Sequence, residues 1–308
     1  MEFLVTGGAG FVGSHLIEAL LSENHSVVCL DDFSTGKKKN LETIRDKLEL
    51  VEGDIRDPTI VREVVMNVDV VFHLAAQISV SRSVREPLLD ASVNIEGTIN
   101  LLEAIRNSPV KRFIYMSTGG AIYGEPKVIP ALENTLENPI SPYGLSKLVG
   151  ERYLQWYHKN YGLSYSIIRP ANIFGPRQDP LGEAGVISIF LGRIKNNQPL
   201  DIFGDGTDTR DYVYVKDIAE VCIKAMKSTH NDIFNAGTGK QTNVLELIRI
   251  IENVTKHETR KNFCAPRSGD VHHISLDSKN AYDKLGWKPR TDITTGISNT
   301  WEWFVTNH

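Results

Sequence analysis

A chain of 308 residues is long enough to bury a substantial core as one large or two modest domains, which excludes a small disulfide-stapled scaffold. With 41% hydrophobic residues, 23% charged residues and a formal net charge of -4, it exerts no long-range pull on nucleic acid or anionic lipid, so an anionic ligand must be held locally. Cys29, Cys222 and Cys264 form no CxxC pair and stand at no metal-ligand spacing with histidine. No basic leader and no apolar run of about 18 residues is visible, so the expectation is reduced thiols, no metal, no membrane span and a cytoplasmic address.

In chain order, short β-branched runs alternate with helix-length periodic segments up to about residue 170. That alternation predicts βαβ units and a doubly wound parallel sheet with helices on both faces. Strands are expected over Glu2 to Thr6, Ser26 to Leu30, Leu48 to Glu52, Val70 to His73, Arg112 to Met116 and Ser164 to Arg169. Directly after the first strand, Gly7, Gly8, Ala9, Gly10, Phe11, Val12 and Gly13 open an apolar-periodic helix through Leu16, Ile17 and Leu20. Residues without Cβ permit the tight turn and let the backbone approach a pyrophosphate at the positive end of that helix. Asp31 follows Gly13 by 18 residues, at the end of the second strand, where a carboxylate accepts from both ribose hydroxyls and repels a 2′-phosphate. The pattern therefore points to NAD rather than NADP. The basic run Lys37, Lys38 and Lys39 reads as a solvated loop or helix start.

Further along, Ser141 before Pro142 forms an N-cap with proline at the first helical position, predicting a helix that ends near Gly162. Tyr143 and Lys147 then share one face, and an ammonium beside a phenol favours the phenolate. A general base working near neutrality needs the phenol lowered by roughly three units from about 10. Taken alone, this spacing arises on any amphipathic helix that carries Tyr and Lys. Beyond residue 170 the pattern loosens into Gly- and Pro-rich loops with helices expected near Val186 to Asn196, Val215 to Lys227 and Val244 to Val254, suiting a substrate-binding cap.

The glycine loop, Asp31, Gly53-Asp54-Ile55, His73-Leu74-Ala75-Ala76 and Tyr143 with Lys147, in this order, resemble the extended short-chain dehydrogenase/reductases. Within them the chain is most similar to the UDP-glucose 4-epimerases of bacteria and archaea. The resemblance spans essentially the whole chain, including Arg169-Pro170-Ala171-Asn172-Ile173-Phe174-Gly175-Pro176-Arg177, Phe203-Gly204-Asp205-Gly206 and Arg210-Asp211-Tyr212-Val213. It implies a Rossmann-like NAD-binding domain over 1–170 with a returning segment at about 207–236, and a smaller α/β domain for a UDP-sugar over 171–206 and 237–308. It also implies a homodimer built from the helices around Leu88 to Asn107 and Tyr143 to Tyr161.

Carried over residue by residue, the resemblance places Gly7, Gly10, Phe11, Val12, Gly13, Asp31, Asp32, Ser34, Thr35, Gly36, Asp54, Ile55, Leu74, Ala75, Ala76, Gln77, Asn94, Tyr143, Lys147 and Pro170 around NAD. Asn172 and Arg210 would hold the diphosphate, Val186 and Phe203 would flank the uracil, and Arg267 with Asp270 would reach phosphate and ribose. Guanidinium forks suit a diphosphate and an apolar slot suits a flat base. Tyr143 would be the base, assisted by Lys147.

One position departs from the family pattern, which sets Ser or Thr four residues before the Tyr123-Gly124 pair; here Gly119 stands there. Ser117 and Thr118 stand just before it, and the resemblance leaves the missing role to one of these hydroxyls, which would contact sugar and phenol, or to a water. Gly120 and Ala121 offer no acid where related dehydratases and decarboxylases carry one, which argues for epimerisation. Interconversion of UDP-galactose and UDP-glucose is the expected activity. UDP-N-acetylglucosamine 4-epimerisation or dual specificity is the alternative, because Ile274, at the position that gates an N-acetyl group, is intermediate in size; a dehydratase or decarboxylase is a more distant one.

Overall fold

The structure is a computed structural model that describes residues 1–181, 185–266 and 271–307. Six strands follow the expected order: β1 (Glu2–Thr6), β2 (Ser26–Asp31), β3 (Glu49–Glu52), β4 (Val70–His73), β5 (Arg112–Met116) and β6 (Ser164–Pro170). A seventh strand, Asp232–Ala236, returns beside β6, so that the all-parallel sheet runs Asp232–Ala236, β6, β5, β4, β1, β2, β3. The order reverses after β1, where successive crossovers leave in opposite directions and open a crevice at the carboxyl ends of the strands.

Alternation along each strand divides two cores. Phe3 and Val5 of β1 join Cys29, Phe72, Ile114 and Ile168 beneath Leu16, Ile17 and Leu20 of helix α1 (Phe11–Ser22) and beneath the helix Val215–Lys227. Leu4 points to the other face with Val28, Val71, Phe113 and Ile167, covered by Val61, Val64, Leu101, Leu102 and Leu154. A sheet buried on both faces needs apolar residues at every strand position, which explains why the strands read as continuous runs.

A third core joins Phe174, Phe190, Leu191, Ile202, Tyr214, Leu247, Ile251 and Phe304. It packs the helices Val186–Lys195, Val244–Thr255 and Ile293–Asn307; the first two of these and Val215–Lys227 are the three helices expected in the second half, at or close to their expected bounds. Lys38 opens a 3-10 helix over Lys38–Lys47 and pairs with Glu52, while Lys37 pairs with Asp179 and Lys39 donates to the Asn307 carbonyl, so all three lysines of the basic run are engaged within the fold. No helix among the described residues is long and apolar enough to cross a membrane, and none of their His, Cys, Asp or Glu side chains group in threes fit for a metal.

Candidate active site

The glycine loop turns between β1 and α1 with Gly7 at φ 68°, a left-handed conformation that strains any residue with a Cβ. A Cβ at Gly7 would lie 2.7 Å from the Ala75 amide nitrogen, and one at Gly13 would lie 2.2 Å from the Gly7 carbonyl oxygen. These glycines hold β1, α1 and the chain after β4 in close contact. At the start of α1, Gly10 supplies no side-chain cap, whereas Asp57 and Ser141 cap their own helices, so the first-turn N–H groups of α1 remain open toward the crevice.

Asp31 is 6% exposed, and its carboxylate accepts from the Ala9 amide at 2.8 Å and the Phe33 amide at 2.9 Å. One of these donors belongs to the glycine loop, so the acid and the cradle are fixed to each other. Burial raises the Asp31 carboxyl, and the two amide bonds oppose the rise. A Cβ on Gly36 would come within 2.5 Å of the same carboxylate, so only glycine leaves that approach clear. The chain's own groups thus fit a dinucleotide: an uncapped helix start for its pyrophosphate and an oriented carboxylate for its ribose. Asp32 and Ser34 bond each other at the rim beside exposed Thr35; Asp54 is taken up by Arg56, and buried Ile55 packs on Gly97.

After β4, Leu74 and Ala75 donate to the backbone and hydroxyl oxygens of Thr6, which stitches β1 to β4 below the crevice. Leu74, Ala75, Ala76 and Gln77 are all half-buried along its floor. Asn94 sits on a π-helical turn, Ser92–Glu96, inside an otherwise α-helical run, and such turns recur at functional sites. It is 2% exposed: its Oδ1 accepts from the Gln77 amide at 2.8 Å, and its Nδ2 donates to the Gln77 carbonyl at 3.0 Å and to Ser146 Oγ at 3.1 Å. The helix behind the crevice is thereby tied to the helix that carries Tyr143.

That helix spans Pro142–Tyr161, with the Ser141 hydroxyl accepting from the Gly144 amide and Gly162 closing it at φ 75°. Gly150 lets it settle on β5, because a Cβ there would meet the Tyr115 hydroxyl at 2.3 Å. Lys147 is buried with Nζ 4.3 Å from the centre of the Tyr115 ring. Burial pushes its ammonium down to about 7, opposed by the negative charges of Glu151 and Asp90. Burial pushes the Tyr143 phenol up to about 12, and hydrogen bonding from the Thr118 hydroxyl opposes that rise. The protein's own groups therefore do not lower the phenol as its spacing from Lys147 suggested, because desolvation acts on both members of the pair.

The two candidate hydroxyls separate cleanly. Thr118 faces the phenol, whereas the Ser117 hydroxyl, 3% exposed, donates to Glu151 Oε1 at 2.5 Å on the inner side of the helix. Gly119 is explained by packing: a Cβ there would lie 2.4 Å from Leu276 Cδ1 and 3.2 Å from the Pro170 carbonyl oxygen. Leu276 is itself 1% exposed and cannot swing away freely, so this chain fills with leucine the space that a Ser or Thr side chain would need. Ile274, two residues before, is also buried in the core, at 2% exposure.

On the substrate side, a pairing that the sequence did not reveal joins Asn172–Phe174 to Tyr212–Tyr214 in parallel, and the Asn172 amide donates to the Asp211 carbonyl at 2.9 Å. Thr209–Arg210 pairs with Thr242–Asn243, and buried Asp211 accepts from the amides of Thr238, Gly239 and Leu276. Asn172 so stands opposite Tyr212, two residues after Arg210, and Asn172 Oδ1 is buried without a hydrogen-bond partner among the described residues. Leu200–Phe203 pairs with Lys261–Cys264, presenting Phe203 38% exposed, and Val186 starts its own helix half-buried. Arg267 and Asp270 lie outside the described residues. The sequence reading also passed over Asp90, a buried acid one helical turn before Asn94; an acid at that spacing within an apolar run was the available signal.

Comparison with known proteins agrees with this geometry. The family model described as the NAD dependent epimerase/dehydratase family matches residues 3–237. A UDP-glucose 4-epimerase of Mycolicibacterium smegmatis is 44% identical over 308 residues, covering 99% of this chain and 98% of that protein. Among solved structures, the UDP-glucose 4-epimerase of Thermotoga maritima with UDP-glucose superposes with a TM-score of 0.96 at 43% identity, covering 99% of both chains. The UDP-glucose 4-epimerase of Thermus thermophilus in complex with NAD gives 0.95 at 38% identity over 100% of both. With that family model over most of its length and a relative 44% identical from end to end, the chain belongs to the NAD dependent epimerase/dehydratase family.

Proposed function

We propose that this chain interconverts UDP-galactose and UDP-glucose. The observations that carry the reading are the Thr118 hydroxyl acting on the Tyr143 phenol, the burial of Lys147 one turn later on the same helix, and a glycine turn whose Ala9 amide is fixed to Asp31. In this reading NAD, when bound, would supply a reversible hydride acceptor for C4 of the sugar. Asp31 receives the ribose hydroxyls, and the open amides of α1 receive the pyrophosphate. Tyr143 takes the proton of the 4-hydroxyl through or beside the Thr118 hydroxyl, and later returns it to the other face of the keto sugar. Asn172 and Arg210 keep the diphosphate in place while the hexose turns. Gly120 and Ala121 offer no acid to expel water, which favours epimerisation over dehydration.

The division into a cofactor domain, 1–170 with 207–236, and a sugar-nucleotide domain, 171–206 with 237–308, follows from the same reading; the third core draws chiefly on the second of these, with Tyr212 and Tyr214 joining it from the returning segment. Dimerisation through the helices near Leu88 and Tyr143 is supported by exposed apolar side chains there: Leu88 is 86% exposed, Leu145 53% and Trp156 49%. Unpaired cysteines suit a cytoplasmic address.

Purified protein incubated separately with UDP-galactose and UDP-N-acetylgalactosamine, without added cofactor, should convert the first to UDP-glucose with no change of mass. A marked preference for the acetylated pair, or a product lighter by water, would overturn the assignment. For the hydroxyl, Thr118→Val is expected to lower kcat by about 100-fold, the lower range of general acid-base effects, while KM moves little. Ser117→Ala should cost less; the reverse ranking would exclude Thr118 as the proton partner.

A further inference from the structure

The fold gives the buried Lys147 ammonium an aromatic partner rather than an ionic one. Tyr115 is fully buried near the end of β5, where alternation along the strand sets it with Phe113 in the core that also takes Leu154 of the Pro142–Tyr161 helix. The helix lies close against this ring, because Gly150 leaves the Tyr115 hydroxyl the space that a Cβ would take. Lys147 stands three residues before Gly150, and its Nζ lies over the Tyr115 ring, 4.3 Å from the centre. Neither acid of the neighbourhood pairs with it among the described residues. Glu151 is bound by two nitrogens of Arg169, at 2.9 and 2.5 Å, and Asp90 accepts from the amides of Gln77 and Asn94, at 2.8 and 3.1 Å. An ammonium withdrawn from water needs negative potential close by; the face of an aromatic ring carries it, and the attraction grows as both partners are shielded from solvent.

We propose that the face of the Tyr115 ring seats the Lys147 ammonium, which makes Tyr115 a positioning residue for the Tyr143–Lys147 pair. The positioning role rests on the epimerase reading given above, whereas the seat rests on the contact itself. The ring acts as a neutral phenol, since burial holds the Tyr115 hydroxyl well above its ordinary value. The titratable groups around Lys147 are His73 on β4, which burial keeps neutral, Tyr115 on β5, Tyr143 and Glu151 on its own helix, and Asp90 on the helix Pro87–Ala91. Burial pushes Lys147 down to about 7, opposed by the charges of Glu151 and Asp90. The ring face opposes the same fall, so a weaker face must lower Lys147 further.

Fluorine separates the face of the ring from its shape. Tyr115→Phe, followed by the same ring with one, two and three fluorines on its far edge, keeps the packing nearly constant while draining negative potential from the face. The titration midpoint of Lys147, read by NMR of protein carrying 13Cε-labelled lysine and assigned with Lys147→Arg, should fall in the order of fluorine number, by about one unit with three. Starting from about 7, that fall cuts the charged share of Lys147 at pH 7 from about half to about a tenth, so kcat with UDP-galactose should drop by about five-fold while KM changes little. The singly and doubly fluorinated rings carry the comparison should the third fold poorly. A midpoint indifferent to fluorine number, or a fall seen only when Tyr115→Leu leaves a cavity, would overturn the seat. A midpoint that follows the series with kcat unmoved would overturn the positioning role. If the midpoint follows the series but the unaltered protein interconverts neither UDP-sugar pair, the seat stands and the epimerase reading fails.

Discussion

Tyr143→Phe should abolish nearly all interconversion while the protein still holds NAD. The substitution removes one oxygen from a half-buried ring and leaves Lys147, Asp31 and the glycine loop untouched, so neither the fold nor the cofactor cradle loses a contact that holds it. The phenol has no substitute, because the Thr118 hydroxyl is far too weak a base at neutral pH and Ser117 is committed to Glu151. Loss of a positioned general base lowers kcat by about 10²- to 10⁴-fold. Steady-state assays with UDP-galactose, together with the absorbance of released nicotinamide nucleotide after denaturation, read both halves of the expectation. Retention of more than about a tenth of the activity would remove Tyr143 from the base role.

The largest effect on stability is expected at Arg169, whose side chain is fully buried beneath the active-site helix. Its guanidinium binds Glu151 through Nε and a terminal nitrogen, reaches Glu137 at 2.8 Å, and donates to the Tyr123 hydroxyl at 2.9 Å. Glu151 is itself 0% exposed. Arg169→Leu strands a carboxylate in the core and should lower the unfolding free energy by about 3–5 kcal/mol, the usual cost of removing one partner of a buried pair. Adding Glu151→Leu to that variant should restore part of the loss, since the orphaned charge leaves with it and the two effects are not additive. Urea denaturation of the single and double variants measures the coupling. A single variant that loses less than about 1 kcal/mol would mean that water or a rearranged neighbour takes the place of the guanidinium.

The buried network also shows where reading the sequence stops. Six strands, the capped helix from Pro142 and the turn at Gly7 were visible because each depends on near neighbours: apolar runs for strands buried on both faces, Ser141-Pro142 for a helix start, a residue without Cβ for a positive φ. The seventh strand, Asp232–Ala236, escaped because a short edge segment carries little periodicity of its own and forms by pairing with β6. Asn172 and Arg210 were placed near one diphosphate only by resemblance; the pairing that sets Asn172 opposite Tyr212, two residues after Arg210, joins segments distant in the chain. The expectation that Lys147 lowers the phenol followed from helical spacing alone, and burial of both groups outweighs it.

Taken by itself, the order of amino acids determined the doubly wound sheet, the glycine turn with an acid at the end of the second strand, and the helix that carries Tyr143 and Lys147, since backbone sterics, hydrophobic period and helical spacing act over a few residues. Only the tertiary structure decided which hydroxyl is taken up by Glu151, why residue 119 is glycine, and what holds the buried acid Asp90. Those outcomes turn on what a side chain meets across the fold: Leu276 fills the space above Gly119, Glu151 draws Ser117 away from the crevice, and Asn94 fastens Asp90 to the catalytic helix. Packing at van der Waals distance and charge at low solvent exposure are properties of the assembled interior, and no local pattern in the chain carries them.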